Sequence, residues 1–485
     1  MRLNPSITAA FPTALACIAL AFTPAATAQD IDPFAPMPNA APTSLALQAD
    51  GRILIVGSFN AVAGMPRNAV ARLEADGSPD ASFVDPGVDA EVKAIVVQPD
   101  GKLLIGGGFT AVGGQPRHHL ARLDADGTLD ATFADPGLDG SVWSIALQPD
   151  GRVLAGGDFI HVGAVAQNYV ARFDANGALD ASFHDPQLCC NVVRSVALQS
   201  DGHVLIGGFF SEAGGSTHFY LARYSASGTF DPSFPNVPAG VPITGNAIVV
   251  APDDAVFVSG VSAQPVVKLD ADGTYDPSFI AAPTDNGIAG MALQPDGKLL
   301  INGIFETAGG APRHALARLD ADGTLDAAFG DLDFSFDAAN PNGYVYGIAA
   351  QADGRIVAVG NFTLAGGEPR EHVARVTTGD YAASVLVVAG EGATSRVTWY
   401  RLGDGPELAG APTLLHSTDG ASFAPVGPMT RVPHGWQAVA SVDVHGARFY
   451  LRAAGATSEG TGNGSAGQAA SAIYSNDTIF GWGFE

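Results

Sequence analysis

A unit of about fifty residues recurs along this chain, and no other feature narrows the fold so far. QPDGKLLIGGGFTAVGGQPRHHLARLDADGTLDATF at 98–133 returns as QPDGKLLINGIFETAGGAPRHALARLDADGTLDAAF at 294–329. Weaker copies start at residues 48, 148 and 199, and degraded ones at 251 and 351, which makes seven. Five copies carry paired turn glycines at one interval: Gly51 and Gly77, Gly101 and Gly127, Gly151 and Gly177, Gly202 and Gly228, Gly297 and Gly323, each 26 residues apart.

Between the turns lie runs of strand length such as SIALQP, KLLIGGGF, HLARLDAD and TLDATF. Asp-Gly supplies the positive backbone angles of tight hairpins, so each copy reads as four antiparallel strands. Seven such units predict an all-β chain, a seven-bladed β-propeller of four-stranded antiparallel blades. The absence of a sustained 3.6-residue period excludes a helical solenoid; a parallel β-helix fits less well, because its coils are shorter and lack paired hairpins. The seventh copy runs past Gly379 without an LDATF-like strand, whereas DIDPFAP at 30–36 has that character. The N-terminal segment is therefore expected to complete the last blade and remove the open sheet edges.

The motifs QPDGK-x-L-x-GG-x-F, GG-x-P-R and ARL-D-x-DG-x-x-D-x-x-F, over about residues 45–379, resemble the delta-60 repeat β-propeller proteins of bacteria. That resemblance implies a propeller fold and no particular activity, cofactor or catalytic residue. The fifth copy departs most, with Asp254 in place of the first turn glycine and no GG-x-P-R loop, which predicts a smaller blade.

Residues 1–28 read as a signal peptide: one Arg, an apolar run from Ile7 to Phe22, and Ala26-Thr27-Ala28 as a small-residue cleavage site. The run is shorter than the ~20 residues a spanning helix needs, and its continuation past Cys17 argues against lipid attachment there. The protein is expected to be exported to the cell surface, the medium or the periplasm, with no transmembrane segment. The chain has a formal net charge of −25, and loss of Arg2 leaves 23 basic against 49 acidic residues, or −26. Such a surface repels nucleic acid and anionic membranes, and the chain is expected to be monomeric. Two cysteines remain after processing, the adjacent Cys189 and Cys190. They are free, joined to each other in a vicinal disulfide, or bonded to another molecule; alone they do not make a four-coordinate metal site.

LDADGTLD, at 123–130 and 319–326, comes close to a calcium loop. Such loops place oxygen ligands at the first, third, fifth and ninth positions, but here the first position is Arg122, and Arg72, Arg172, Arg318 and Lys268 take that place in other copies. The stretch thus reads as a hairpin with a built-in cation, an exposed charge pair in place of a metal site, and no cofactor or metal is expected.

Up-and-down strands put both Asp-Gly turns of a blade at one end of the disc. The GG-x-P-R loops and the segments between blades fall at the other, carrying Arg67, Arg117, Arg313 and Arg370 with His118, His119, His314 and His372. Loops on a rigid scaffold are where binding resides, so these residues are the candidate site for a glycan or protein ligand; the alternative is that they are turn residues copied with the repeat. HExxH, GxSxG and P-loop motifs are absent from the sequence. A paired carboxylate in the channel, acting as a glycan hydrolase or lyase, is the alternative to a non-enzymatic binding or scaffold role. Catalytic groups would stand out as exceptions to the repeat, whereas most of the carboxylates recur with it. Residues 381–455 contain further short strand-like runs, which predicts a small β-sandwich-like domain, and 456–485 read as a flexible Gly/Ser/Ala-rich tail.

Overall fold

The computed structural model describes residues 29–378 except 49, 190–191, 239, 262, 337–341 and 352–353. Beyond 378 it describes 383–389, 395–402, 412–417, 424–432, 435–440, 450–456, 459–460 and 469–475. The expected signal peptide and Cys190 lie outside the described residues.

The repeats fold into antiparallel sheets that follow one another along the chain. In the second, the inner strand Val92–Val97 pairs with Leu103–Gly107, which pairs with Leu120–Leu123. The same order holds for six further sheets, whose inner strands are Pro42–Leu47, Val142–Leu147, Val192–Leu198, Ile243–Val250, Ile288–Leu293 and Tyr344–Ala350. Each inner strand packs on the next, and Tyr344–Ala350 packs on Pro42–Leu47, so the series of contacts returns to its start. The second strands read as continuous apolar runs, LLIGG or ILIVG, because they are buried between neighbouring sheets. One apolar cluster joins Leu45, Ile55 and Leu73 of the first sheet to Val357, Val359 and Val373 of the seventh.

The N-terminal segment closes the series as its sequence predicts. Asp30 and Ile31 pair with Thr377 and Val376 at the edge of the seventh sheet. Asp32 then accepts hydrogen bonds from Arg375 and Arg355, and the Phe34 ring lies 4.6 Å below the Arg375 guanidinium.

Four full strands per repeat is not what forms. In the first six repeats the fourth is reduced to a single bridging pair such as Leu123 with Leu129 or Leu319 with Leu325, giving three strands and a bridge, whereas the seventh keeps a short fourth strand in Asp30–Ile31. The cause is the Asp-x-Ser/Thr segment that follows: Asp130 Oδ1 accepts hydrogen bonds from both the amide and the hydroxyl of Thr132. That turn curls the chain inward and ends the strand, and it tucks Phe133 into the core, fully buried.

Between the second and third strands, six sheets carry a two-residue ribbon such as Ala111–Val112 with Gln115–Pro116. The fifth has none: Val261 pairs directly with Gln264 across its turn, in keeping with its shortened sequence.

After residue 378 two more four-stranded sheets form. One runs Ala383–Ala389, Ser395–Leu402, Gly435–Ala440, Thr430–Val432; the other runs Ala424–Pro428, Thr413–Ser417, Tyr450–Ala456, Ala469–Ser475. Trp399, Leu414, Trp436 and Leu451 are buried there. Strand structure extends into the stretch read as a flexible tail, because Ala469–Ser475 finds a partner edge in Tyr450–Ala456. Glu459 and Gly460 pair with Ala292 and Met291 on the free edge of the sixth inner strand.

Candidate functional site

Six of the seven repeats build an anchor from Arg, Asp and Phe; in the fifth, Lys268 pairs with Asp276 instead. Arg122 donates from Nε to Asp130 at 2.7 Å, its NH1 bonds the Ala175 carbonyl in the next repeat, and its guanidinium lies 5.0 Å above the Phe133 ring. Arg72 does the same with Asp80, Ala125 and Phe83, and Arg172 with Asp180, Ala226 and Phe183. Arg375 closes the circuit onto the Ala75 carbonyl of the first repeat.

The expected exposed hairpin pair is therefore a buried one: Arg122 is 8% exposed and Asp130 3%. The partner of the arginine is the last Asp of the motif, and the next sheet covers both. Burial pushes Asp80 upward, but hydrogen bonds from Ser82 and Arg72 outweigh it and hold the carboxyl at about 2. Lys298, the Ala328 amide and Arg318 likewise outweigh burial at Asp326 and bring it to about 2. The carboxylate in the turn itself, Asp126, accepts bonds from the Thr128 amide and hydroxyl.

The Arg and His residues singled out in the sequence lie on separate sheets, at the end expected for them. Arg67, Arg117, Arg313 and Arg370 each donate from NH1 to the carbonyl of the preceding proline. Arg67 also bonds the Asp80 carbonyl, and Arg370 the Asp32 carbonyl, so they tie the ribbon to the outer edge of the sheet. His118 and His314 bond Asp135 and Asp331 of the following loop at 2.7 Å each. None of the described hydrogen bonds joins one copy's Arg-His pair to another's. His119 and His372 turn the other way, with positive φ and Nδ1 3.2 Å from the Gly107 and Gly360 carbonyls. Burial holds both imidazoles below the usual range, hence neutral at pH 7. Cys189 is disulfide-bonded.

What the sequence reading missed is the start of each inner strand. There the pairing register slips, between Val92 and Ala94, Val142 and Ser144, and Val193 and Ser195, and the skipped residue is a bulge that re-aims its side chain. The second-strand glycine makes room for it: a Cβ on Gly107 would stand 2.2 Å from the Glu91 carbonyl oxygen, and one on Gly157 2.1 Å from that of Ser141.

The skipped residues are Thr43, Lys93, Trp143, Arg194, Ala289 and Tyr346, with the slip in the fifth sheet falling between Ile243 and Ile248. No two of the six are alike, although the strands around them repeat. Three converge. Lys93 Nζ lies 4.1 Å from the centre of the Trp143 ring and pairs with Glu91, and the Arg194 guanidinium lies 3.7 Å from the same ring and 5.9 Å from Phe209.

Trp143 Nε1 donates to Asp158, and Phe209 packs edge-on against Tyr220. Arg194 makes no described hydrogen bond, its Nε is buried without a partner, and burial lowers its pKa despite the Asp158 charge nearby. A half-buried guanidinium in that state carries a desolvation cost that no described hydrogen bond offsets. The signal was present in the sequence as a column in which otherwise matching strands all differ.

Among solved structures, the WD40 β-propeller domain of Doa1 superposes with a TM-score of 0.48 at 11% identity, covering 72% of this chain and 97% of that one. YCF48 from Cyanidioschyzon merolae gives 0.45 at 13%, covering 72% and 98%. No curated protein matches the chain in sequence. Residues 48–83, 98–133, 148–183, 199–234, 294–329 and 351–380 match the model of the domain of unknown function DUF5122, a β-propeller. Six of the seven repeats thus match a DUF5122 β-propeller repeat domain.

Proposed function

We propose that this is an exported binding protein of the delta-60 type: a seven-bladed propeller followed by a β-sandwich, presenting one open mouth to a protein or glycan ligand without turning it over. The mouth is the end at which the inner strands begin. The observation that carries this reading is the meeting of Lys93, Trp143 and Arg194 from three successive sheets, at a register position whose residue differs from copy to copy, with Arg194 making no hydrogen bond among the described residues. A scaffold without a ligand has no need to keep a desolvated cation there. The leader at 1–28 and the acidic, lysine-poor composition support an extracellular or surface location.

The test is binding of the mature chain to glycan and peptide arrays, with product analysis of every hit. Saturable binding that Trp143→Ala abolishes, with the ligand recovered intact, is the expected outcome. Release of a cleaved product, lost on Glu91→Gln or Asp158→Asn, would instead establish a hydrolase or lyase.

A further inference from the structure

The rim beside Arg194 is apolar over three successive sheets. At the mouth end of the second strand the sheets carry, in order, Ser58, Gly108, Asp158, Phe209, Val261, Ile304 and Asn361. Phe209, Val261 and Ile304 are 36%, 38% and 38% exposed, and Phe219 and Tyr220 add exposed ring surface beside Phe209. Isolated exposed apolar residues need no explanation, but a run of them at one register position, adjoining an unpaired cation, marks an interaction surface. The other four sheets carry polar residues or glycine there, so the run has one direction: cation at the fourth sheet, apolar side chains through the fourth, fifth and sixth.

From this arrangement we infer that the mouth takes an extended peptide whose carboxylate pairs with Arg194 and whose apolar side chains rest in turn on Phe209, Val261 and Ile304. The inference rests on the binding reading above and names the ligand class. Facing sheets pack about 10 Å apart. A polyproline II segment has three residues per turn and rises about 3.1 Å per residue, so every third side chain falls on one face at about 9 Å spacing and keeps step with the sheets. The carboxylate supplies an acceptor to the half-buried Arg194 guanidinium, which makes no described hydrogen bond, in a partly desolvated place where a charge-assisted bond is strong. A terminal carboxylate and a Glu or Asp side chain offer the same chemistry, and the test separates them.

The probe is the fluorescein-labelled nonapeptide LPPLPPLPE, titrated with the mature chain by fluorescence anisotropy. Three companions vary its end: the C-terminal amide keeps only the side-chain acid, a terminal Gln with a free carboxylate keeps only the other, and Gln-amide has neither. Saturable binding of at least one acid form, about tenfold or more tighter than Gln-amide, is expected. Arg194→Met removes that advantage, and Ile304→Ser, at an exposed position that leaves folding intact, weakens all forms alike.

Equal affinity of acid and Gln-amide forms, or an acid advantage that survives Arg194→Met, overturns the inference. If no peptide binds but an oligosaccharide does, and Trp143→Ala abolishes it, the ligand class is wrong while the mouth still binds. If mouth substitutions change no binding of any kind, both readings fall.

Discussion

Arg122 serves two sheets with one side chain: its Nε holds Asp130 of its own repeat and NH1 holds the Ala175 carbonyl of the next. Breaking a buried pair of this kind by removing one member leaves an uncompensated charge, which costs about 3–5 kcal/mol. Arg122→Met is therefore expected to lower unfolding stability by about that amount in a urea titration. Arg117→Met, which loses a bond to the adjacent Pro116 carbonyl, should change it by about 1 kcal/mol or less. Equal effects would contradict the assignment of the first as an anchor. The pairing of Arg with Asp was legible in LDADGTLD. Its burial was not, because the covering group comes from a turn 53 residues further on, and nothing local in the motif reports that neighbour.

At the scale of single elements, the bulge at the start of each inner strand links fold to candidate site. Gly157 faces the Ser141 carbonyl so closely that any Cβ forces the two strands apart. Overpacking of this sort costs about 1–3 kcal/mol, and here it also displaces Trp143. Gly157→Ala is expected to lower the melting temperature and to weaken mouth binding. Gly151→Ala, in the Asp-Gly turn with φ 84°, should lower the melting temperature alone. Equal binding by both variants would show that the bulge does not aim the site.

The strands themselves were readable from alternating turns and apolar runs. The mouth was not, because aligning copies directs attention to what recurs, whereas Lys93, Trp143 and Arg194 matter by differing. The shortened fourth strand was also missed, since TLDATF has strand propensity and only the Asp130–Thr132 turn cuts it short.

Over the whole molecule, the anchors make stability depend on acid. Asp80, Asp276 and Asp326 are held at about 2 and Asp32 is also lowered, each by hydrogen bonds that favour the charged form. Carboxyls that are lower in the folded state than their unfolded value near 3.9 contribute stability that is complete above that value. It is lost as pH falls through the folded value. The melting temperature is expected to be flat from pH 7 to 5 and to fall steeply between about pH 4 and 2; a midpoint of acid unfolding above pH 5 would contradict this.

Closure of the series of sheets was the most legible feature at this scale, because DIDPFAP supplies the Asp and Phe that the seventh copy lacks. The extension of strand structure to Ser475 was the least legible, since it depends on an edge that only the folded C-terminal sheets create. Ring closure is tested most directly by the double substitution Ile31→Cys with Val376→Cys, two residues that face each other across the N-terminal pairing. Oxidation of the dilute protein, mapped by mass spectrometry of unreduced peptides, is expected to give one intramolecular link and a raised melting temperature. Failure to form it, or its appearance only between molecules, would contradict the closed ring.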